Sequence, residues 1–329
     1  MHYHDDVYGD VSISEPVLQA LMRSTAVNRL HGVLQHGISG LIGVTTPVTR
    51  FEHSVGAMLL VRQMGGALQE QIAALLHDVS HTVFSHVIDY VFGGHDSQSY
   101  HDEVKEHYMS QTDLTALLAN YGYDWHDFVA EERYTLLEQP APRLCADRLD
   151  YFLRDSLEME LSTAQDVSHL LQHLVACDDR IVTNDLSVAR WLGYTYIAAD
   201  KASWANFREV GLYELTARAI RRALNVGILH ETDLWGVDES VWTMLQGADD
   251  PYLQQNLALV TPHTVFEWDE VNPTFKVRTK LRSVDPDIVV DDGSIRPLSE
   301  LDSHFAEYRL SYHQDREGPW PMRVVAAAE

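Results

Sequence analysis

Lysine is nearly missing from this chain: Lys105, Lys201, Lys276 and Lys280 are the only four in 329 residues. With arginine included, 24 cations face 49 acidic residues and leave a formal charge of −25. A surface so acidic repels phosphate backbones, which argues against nucleic acid as a partner. A nucleotide would meet the same repulsion, so a protein acting on one must gather its few cations, mostly arginine, into a pocket and add a metal. Cysteine is scarce as well, and Cys145 and Cys177 are too few for a disulfide framework. Near Met1 no basic start runs into an apolar stretch and a small-residue cleavage site, so a reducing, cytoplasmic location is expected. Long apolar runs are missing too. None approaches the roughly 20 residues that a membrane helix needs, and no membrane partner is expected.

What is present is length and helical periodicity, enough for one large domain or one domain with an appendage. From about Pro16 to about Leu259 apolar residues recur three and four apart, and the breaks carry Gly, Pro, Asp or Asn. The clearest run is Ser54 to Leu76, in which Val55, Met58, Leu59, Ile72, Leu75 and Leu76 keep helical spacing and Gly65-Gly66 separates two helices. The spacing predicts further helices at about 17–35, 81–92, 98–108, 112–120, 125–131, 143–155, 164–176, 185–206, 208–226 and 238–246. Thr183-Asn184-Asp185 supplies a polar helix start. After Val260 the period changes to two, over 264–268 and 274–279, with turn signals at Asp285-Pro286 and Asp291-Asp292-Gly293. Leu298–Leu301 opens a helix there with Ser299 as its cap, and Ala326–Glu329 reads as a frayed end. The organisation expected is a mainly α bundle over residues 1–259 with a small α+β appendage over 260–329.

Four features carry chemistry: His53, the adjacent pair His77-Asp78 closing an apolar helix, the histidines His81, His86 and His101 that follow, and the acids Asp147, Asp150 and Asp155. Imidazole nitrogens with carboxylate oxygens suit a hard or borderline divalent ion (iron, manganese, nickel, zinc or magnesium), where thiolates would suit an iron–sulfur cluster. Neighbours on a helix point about 100° apart, so His77 and Asp78 reach a common point only at a helix terminus. A third ligand then comes from the preceding helix, where His53 stands, and a fourth from a later one that opens with Asp147.

Three segments, Arg50-Phe-Glu-His-Ser-Val-Gly56, Ala74-Leu-Leu-His-Asp-Val-Ser-His-Thr-Val-Phe-Ser-His86 and Asp147-Arg-Leu-Asp-Tyr-Phe-Leu-Arg-Asp155, resemble the HD-domain phosphohydrolases, in particular the deoxynucleoside triphosphate triphosphohydrolase branch. The likeness runs from about Asp6 to about Leu259, and Lys280–Pro286 and Leu298–Leu301 resemble the tail of compact prokaryotic members. It implies an HD-domain helical bundle holding one divalent metal on His53, His77, Asp78 and Asp147, with a second ion such as Mg arriving with substrate. It places Arg50 and His86 on phosphate contacts, His81, His101 and Asp89 at the catalytic centre, and Gln35, Tyr151 and Asp155 in a sugar pocket. There Gln35 and Asp155 would bond a 3′-hydroxyl and Tyr151 would crowd a 2′-hydroxyl. Lys201 and Arg208 are candidates for distal phosphates, and family habit implies a homo-oligomer, a dimer or larger. The chain departs from the family at Ser80 and Thr82-Val83, where Gly and Gly-Pro are usual, at His36 for an apolar residue, and at Asp102 for Glu.

The chemistry of these residues agrees with that reading. A divalent ion readies water for attack near neutral pH, a histidine near its solution pKa moves the proton, and the planar fork of Arg50 suits phosphate oxygens. Asp89 would hold His81 or His101 in the needed tautomer. The reaction expected is hydrolysis of a dNTP to nucleoside and triphosphate. Rivals are a phosphatase or phosphodiesterase for another small metabolite, a di-iron oxygenase recruiting His81 and His101, and a non-catalytic sensor.

Overall fold

The computed structural model describes residues 1–325; the frayed end expected at Ala326–Glu329 lies outside them. In chain order the helices are α1 (Pro16–Met22), α2 (Thr25–Asn28), α3 (Ile38–Leu41), α4 (Arg50–Gln63), α5 (Leu68–Leu76), α6 (Val87–Phe92), α7 (Tyr100–Ser110) and α8 (Leu114–Asn120). They continue with α9 (Ala146–Glu158), α10 (Ala164–His173), α11 (Leu186–Ala202), α12 (Phe207–Asn225), α13 (Asp238–Gln246), α14 (Pro251–Leu257), α15 (Leu298–Leu301) and α16 (Ser303–Arg316). The strands are β1 (His2–Asp5), β2 (Gly9–Ser12), β3 (Leu174–Cys177), β4 (Arg180–Thr183), β5 (Val265–Trp268), β6 (Phe275–Val277), β7 (Asp287–Val289), β8 (Ile295–Pro297) and β9 (Trp320–Val325). The fold is mainly α with small sheets, as the periodicity implied.

Helix α4 starts four residues before the apolar run because Thr49 and Glu52 form a reciprocal capping box. That box sets Arg50 and His53, three apart, on one face of the first turn. At Gly65 the backbone turns left-handed, φ 81°, and α5 folds back along α4. Helix α9 crosses α4 where Gly56 lets the two approach: a Cβ there would lie 1.9 Å from Asp150 Oδ1. Leu18, Val55, Met58, Leu75, Leu149 and Phe152 fill the core between α1, α4, α5 and α9. Each such side chain contributes roughly 1.5–3 kcal/mol on burial.

A second core joins α6, α12 and α14 to the three-stranded sheet β5-β9-β6, through Val87, Leu212, Ile220, Phe266 and Trp320. The period-two segments expected near 264–268 and 274–279 are β5 and β6, and the turn at Gly293 closes the β7–β8 hairpin. β7 pairs in parallel with β4, so the C-terminal strands complete a sheet begun at β3–β4.

Several expectations need correction. Residues 17–35 are not one helix: Ser24 ends α1 and caps α2 by accepting from the Val27 amide, and a 3-10 turn follows. The helix expected over 81–92 begins at Val87, since Phe84 and Ser85 take left-handed backbone, φ 58° and 49°. Residues 125–131 make a 3-10 turn over Trp125–Phe128. Ser299 does not cap α15; its amide and hydroxyl donate to the Asp285 carboxylate. The hairpins β1–β2 and β3–β4 were missed because their strands are four residues long and the second turns on Asp178-Asp179, not glycine.

Candidate metal centre

His53 on α4, His77 at the C-terminus of α5, Asp78 just beyond it and Asp147 on the first turn of α9 converge. His53 Nε2 lies 3.1 Å from His77 Nε2 and 3.0 Å from Asp147 Oδ1. Asp147 Oδ1 is 3.5 Å from His77 Nε2, and the Asp78 oxygens are 3.6 Å from both imidazoles. Ligand atoms about 2.1 Å from one ion stand roughly 3.0–3.5 Å apart, so the His53, His77 and Asp147 separations are those of a coordination shell, with Asp78 at its edge between this group and His81 and His101.

The far sides of the rings sharpen the argument. His53 Nδ1 bonds Asp150 Oδ2 at 2.8 Å, and His77 Nδ1 bonds the Ala74 carbonyl at 2.7 Å. With those nitrogens donating, the neutral rings would turn both Nε2 lone pairs toward the same point, an arrangement suited to a cation between them. Charge says the same. Burial works against a charged ring at His77, yet Asp78 and Asp147 outweigh it and raise its pKa to about 10. Carboxylates that would hold a proton there so firmly would hold a metal ion. The residues therefore fit a divalent ion.

Asp78 is buried, which opposes its charge, but Arg50, His77 and His81 keep the carboxyl well below the ordinary range. Arg50 Nη1 donates to Asp78 Oδ2 at 2.6 Å and its Nε to Ser85 Oγ at 3.0 Å. Arg50 is thus placed beside the centre and anchored on one of its ligands.

The remaining histidines form a second group. The His81 and His101 rings stack with centroids 4.0 Å apart, and His86 packs edge-on to both. Asp78, His81 and His101 bring ligand atoms within 4.8 Å of one another. Burial first, then Arg50 and the other charges nearby, depresses His81 and His86 well below an ordinary histidine; burial also lowers His101. Neutral rings accept protons. His81 Nε2 lies 3.2 Å from Asp78 Oδ1, and His101 Nδ1 is buried with no hydrogen-bond partner. Asp89 pairs at 3.0 Å with His86, not with His81 or His101, and takes the Tyr100 amide on its other oxygen, which ties it to the start of α7.

The expected sugar-pocket residues lie nearby with mixed freedom. Tyr151 is 6.2 Å from the His53 ring, its hydroxyl bonded to that of Tyr196 and its ring against Trp204. Gln35 leaves a buried side-chain oxygen unpartnered. Asp155 is engaged at both oxygens, by His36 Nε2 at 2.9 Å and Trp204 Nε1 at 2.6 Å. Lys201 is directed to α16, where it donates to the Tyr308 hydroxyl, and Arg208 lines a separate surface hollow with Pro262 and Val265. Neither is seen among the partners of the histidine cluster.

Sequence reasoning left Asp150 undecided and missed Arg154 and Asp238. Asp150 orients His53 and pairs with Arg154, which reaches on to Asp5 at 2.8 Å in the β1–β2 hairpin. Its signal was there: three residues after Asp147 on one helix means a shared face. Asp238 accepts from the Leu34 and Phe84 amides and so fixes the left-handed turn before His86. No local pattern marks it, since its partners lie some two hundred and 154 positions away.

A helical body carrying a His/Asp cluster of this geometry is suited to a divalent ion, and comparison with known proteins gives its class. The HD domain family model matches residues 50–155. The chain is 40% identical over 291 residues, 86% of its length and 84% of the relative's, to the metal-dependent phosphohydrolase cns2 of Cordyceps militaris. It is 23% identical over 228 residues to the deoxynucleoside triphosphate triphosphohydrolase SAMHD1 of Gallus gallus, across 54% of this chain and 37% of that one. A solved phosphohydrolase from Bacteroides thetaiotaomicron shares the fold at TM-score 0.67 and 18% identity, covering 92% and 94% of the two chains. The chain belongs to the HD-domain metal-dependent phosphohydrolases.

Proposed function

We propose that the protein hydrolyses nucleotides, and that its substrate is a deoxynucleoside triphosphate cleaved to deoxynucleoside and triphosphate. The observation that carries this reading is the juxtaposition of the His53, His77, Asp78 and Asp147 cluster with Arg50 and with His81, His86 and His101, three histidines whose pKa values are lowered. When bound, a divalent ion would supply the positive charge that readies water and polarises a phosphoryl oxygen. Arg50 would trade part of its hold on Asp78 for phosphate oxygens. His81 or His101 would take the proton from water or give one to the departing sugar oxygen, and the stacking of the two rings lets one be charged at a time. A second ion, such as Mg entering with substrate, belongs to the proposal, with Asp78, His81 and His101 nearest to it; so does assembly into a homo-oligomer. The distant likeness to the Gallus gallus triphosphohydrolase and the Tyr151 ring beside His53 support the deoxynucleotide.

One observation favours a second reading, a phosphatase for another small phosphorylated metabolite: Asp155 is already satisfied by His36 and Trp204 and offers a sugar no free oxygen. Metal-loaded protein incubated with panels of dNTPs, NTPs, nucleoside monophosphates and cyclic dinucleotides, with products identified, separates the two. Triphosphate from a dNTP supports the first; inorganic phosphate alone, from monophosphates, supports the second.

A further inference from the structure

The segment that enters β7 crosses to the histidine cluster from the far end of the chain. Lys280 Nζ donates to the Ser97 carbonyl at 3.3 Å, and the Arg282 guanidinium to Gln98 and to the Lys280 carbonyl. The Arg282 amide donates to Asp200 on α11 at 2.8 Å. Ser97 and Gln98 belong to the turn between α6 and α7, so they lie between Asp89, the partner of His86, and His101. Gln98 is buried and holds left-handed backbone, φ 52°.

Two cations are therefore set side by side on one turn, and among the described residues their side chains bond only neutral oxygens. That placement is costly. Like charges repel, and the Asp200 carboxylate that acts on Arg282 accepts its backbone amide, not its guanidinium. Lys280 is solvent-exposed, and one bond to a carbonyl adds little to the fold. Their fields do reach the centre: after burial, Arg50 and His101, both charges depress the His86 ring, and Lys280 also acts on Asp89. Desolvation and then the Arg282 charge lower the pKa of the Lys280 ammonium, with Asp147 acting the other way, and Arg282 is the leading charge that acts on the Tyr151 hydroxyl against the burial that raises it.

We propose that Lys280 and Arg282 form a phosphate-binding subsite, which holds the distal groups of a polyphosphate whose reacting phosphorus lies at the metal centre. This rests on the phosphohydrolase reading of that centre and narrows its substrate class to molecules with more than one linked phosphate. The positions expected from the sequence for that task, Lys201 and Arg208, look elsewhere; the tail supplies it instead.

The test is calorimetric titration of full-length, metal-loaded protein with the Mg salt of inorganic tripolyphosphate and, separately, with orthophosphate. Lys280→Gln and Arg282→Gln should each weaken tripolyphosphate about tenfold, the value of one charge-assisted hydrogen bond, and orthophosphate by less than about twofold. Metal content should not change, and Lys280→Arg should keep wild-type affinity. Lys280→Gln is the decisive variant because that side chain is exposed and its loss leaves the fold intact. Unchanged tripolyphosphate affinity in both glutamine variants, or equal loss for the two anions, would overturn the proposal. Binding is read without turnover, so failure to release triphosphate from any dNTP would sink the substrate reading while leaving this result to stand or fall alone.

Discussion

His53 shows how a single ring is prepared for a metal. Its Nδ1 is committed to Asp150, which fixes the tautomer and leaves Nε2 facing the other ligands. Asp150 stays ionised because Arg154 and His53 outweigh the burial that opposes its charge. His77→Ala removes a ligand outright, so metal and turnover should vanish together in elemental analysis and activity assays. Asp150→Asn removes the charge that orients His53 and leaves Arg154 with Asp5 as its remaining carboxylate, and metal affinity should weaken about 10–100-fold, as read by competition with a chelating dye. His36 makes a separate prediction. Burial lowers its pKa, but Asp155 at 2.9 Å outweighs that and the folded value is raised. A raised histidine binds its proton more tightly in the folded state, so its contribution is full below the unfolded value of about 6.5 and is lost as pH climbs through the folded value. Urea midpoints measured from pH 6 to 9 should therefore fall more steeply for the native protein than for His36→Gln, and the two curves should converge at the alkaline end.

At the scale of elements the crossing of α4 and α9 governs the site. Gly56 gives the space: a methyl group there would meet Asp150 Oδ1 at 1.9 Å and Arg154 Nη2 at 2.1 Å. Gly56→Ala should cost about 1–3 kcal/mol, because both neighbours are buried and paired and have nowhere to move. Thermal unfolding should drop by several degrees, and metal affinity should fall with it as Asp150 is pushed from His53. A lower melting temperature with wild-type metal affinity would separate the packing from the site. The turn between α5 and α6 is the other controlling element. Phe84 and Ser85 sit in left-handed backbone without glycine, at a cost of about 1–3 kcal/mol each, and Asp238 holds the Phe84 amide in place.

For the whole molecule, the C-terminal strands are structural parts of the body that carries the site. Phe266 of β5 lies where Gly211 of α12 leaves room, with ring atoms 2.6 Å from the place a Cβ would occupy. Trp320 and Met322 of β9 sit in the same core as Leu212 and Ile220. A chain ended at residue 259 exposes that face and should lose cooperative thermal unfolding, measured by circular dichroism, and bind a hydrophobic dye. A sharp transition in the shortened chain would show that α12 keeps its place without the sheet. Among the described residues no helix is long and apolar enough to cross a membrane.

The sequence alone determined the helical character of the body, the break at Gly65, the period-two strands β5 and β6, and the residue types of the metal shell. Those features are local: they depend on spacing of apolar side chains, on a glycine's conformational range, and on motifs written contiguously around His53, His77 and Asp147. Tertiary structure decided what distant partners decide. Which carboxylate orients His53, that Asp89 serves His86, that Asp155 is already occupied by His36 and Trp204, and that Lys280 and Arg282 arrive at the α6–α7 turn all follow from contacts between residues far apart in the chain. Electrostatic and hydrogen-bonding partners are chosen by distance in space, and a periodicity along the chain carries no record of it.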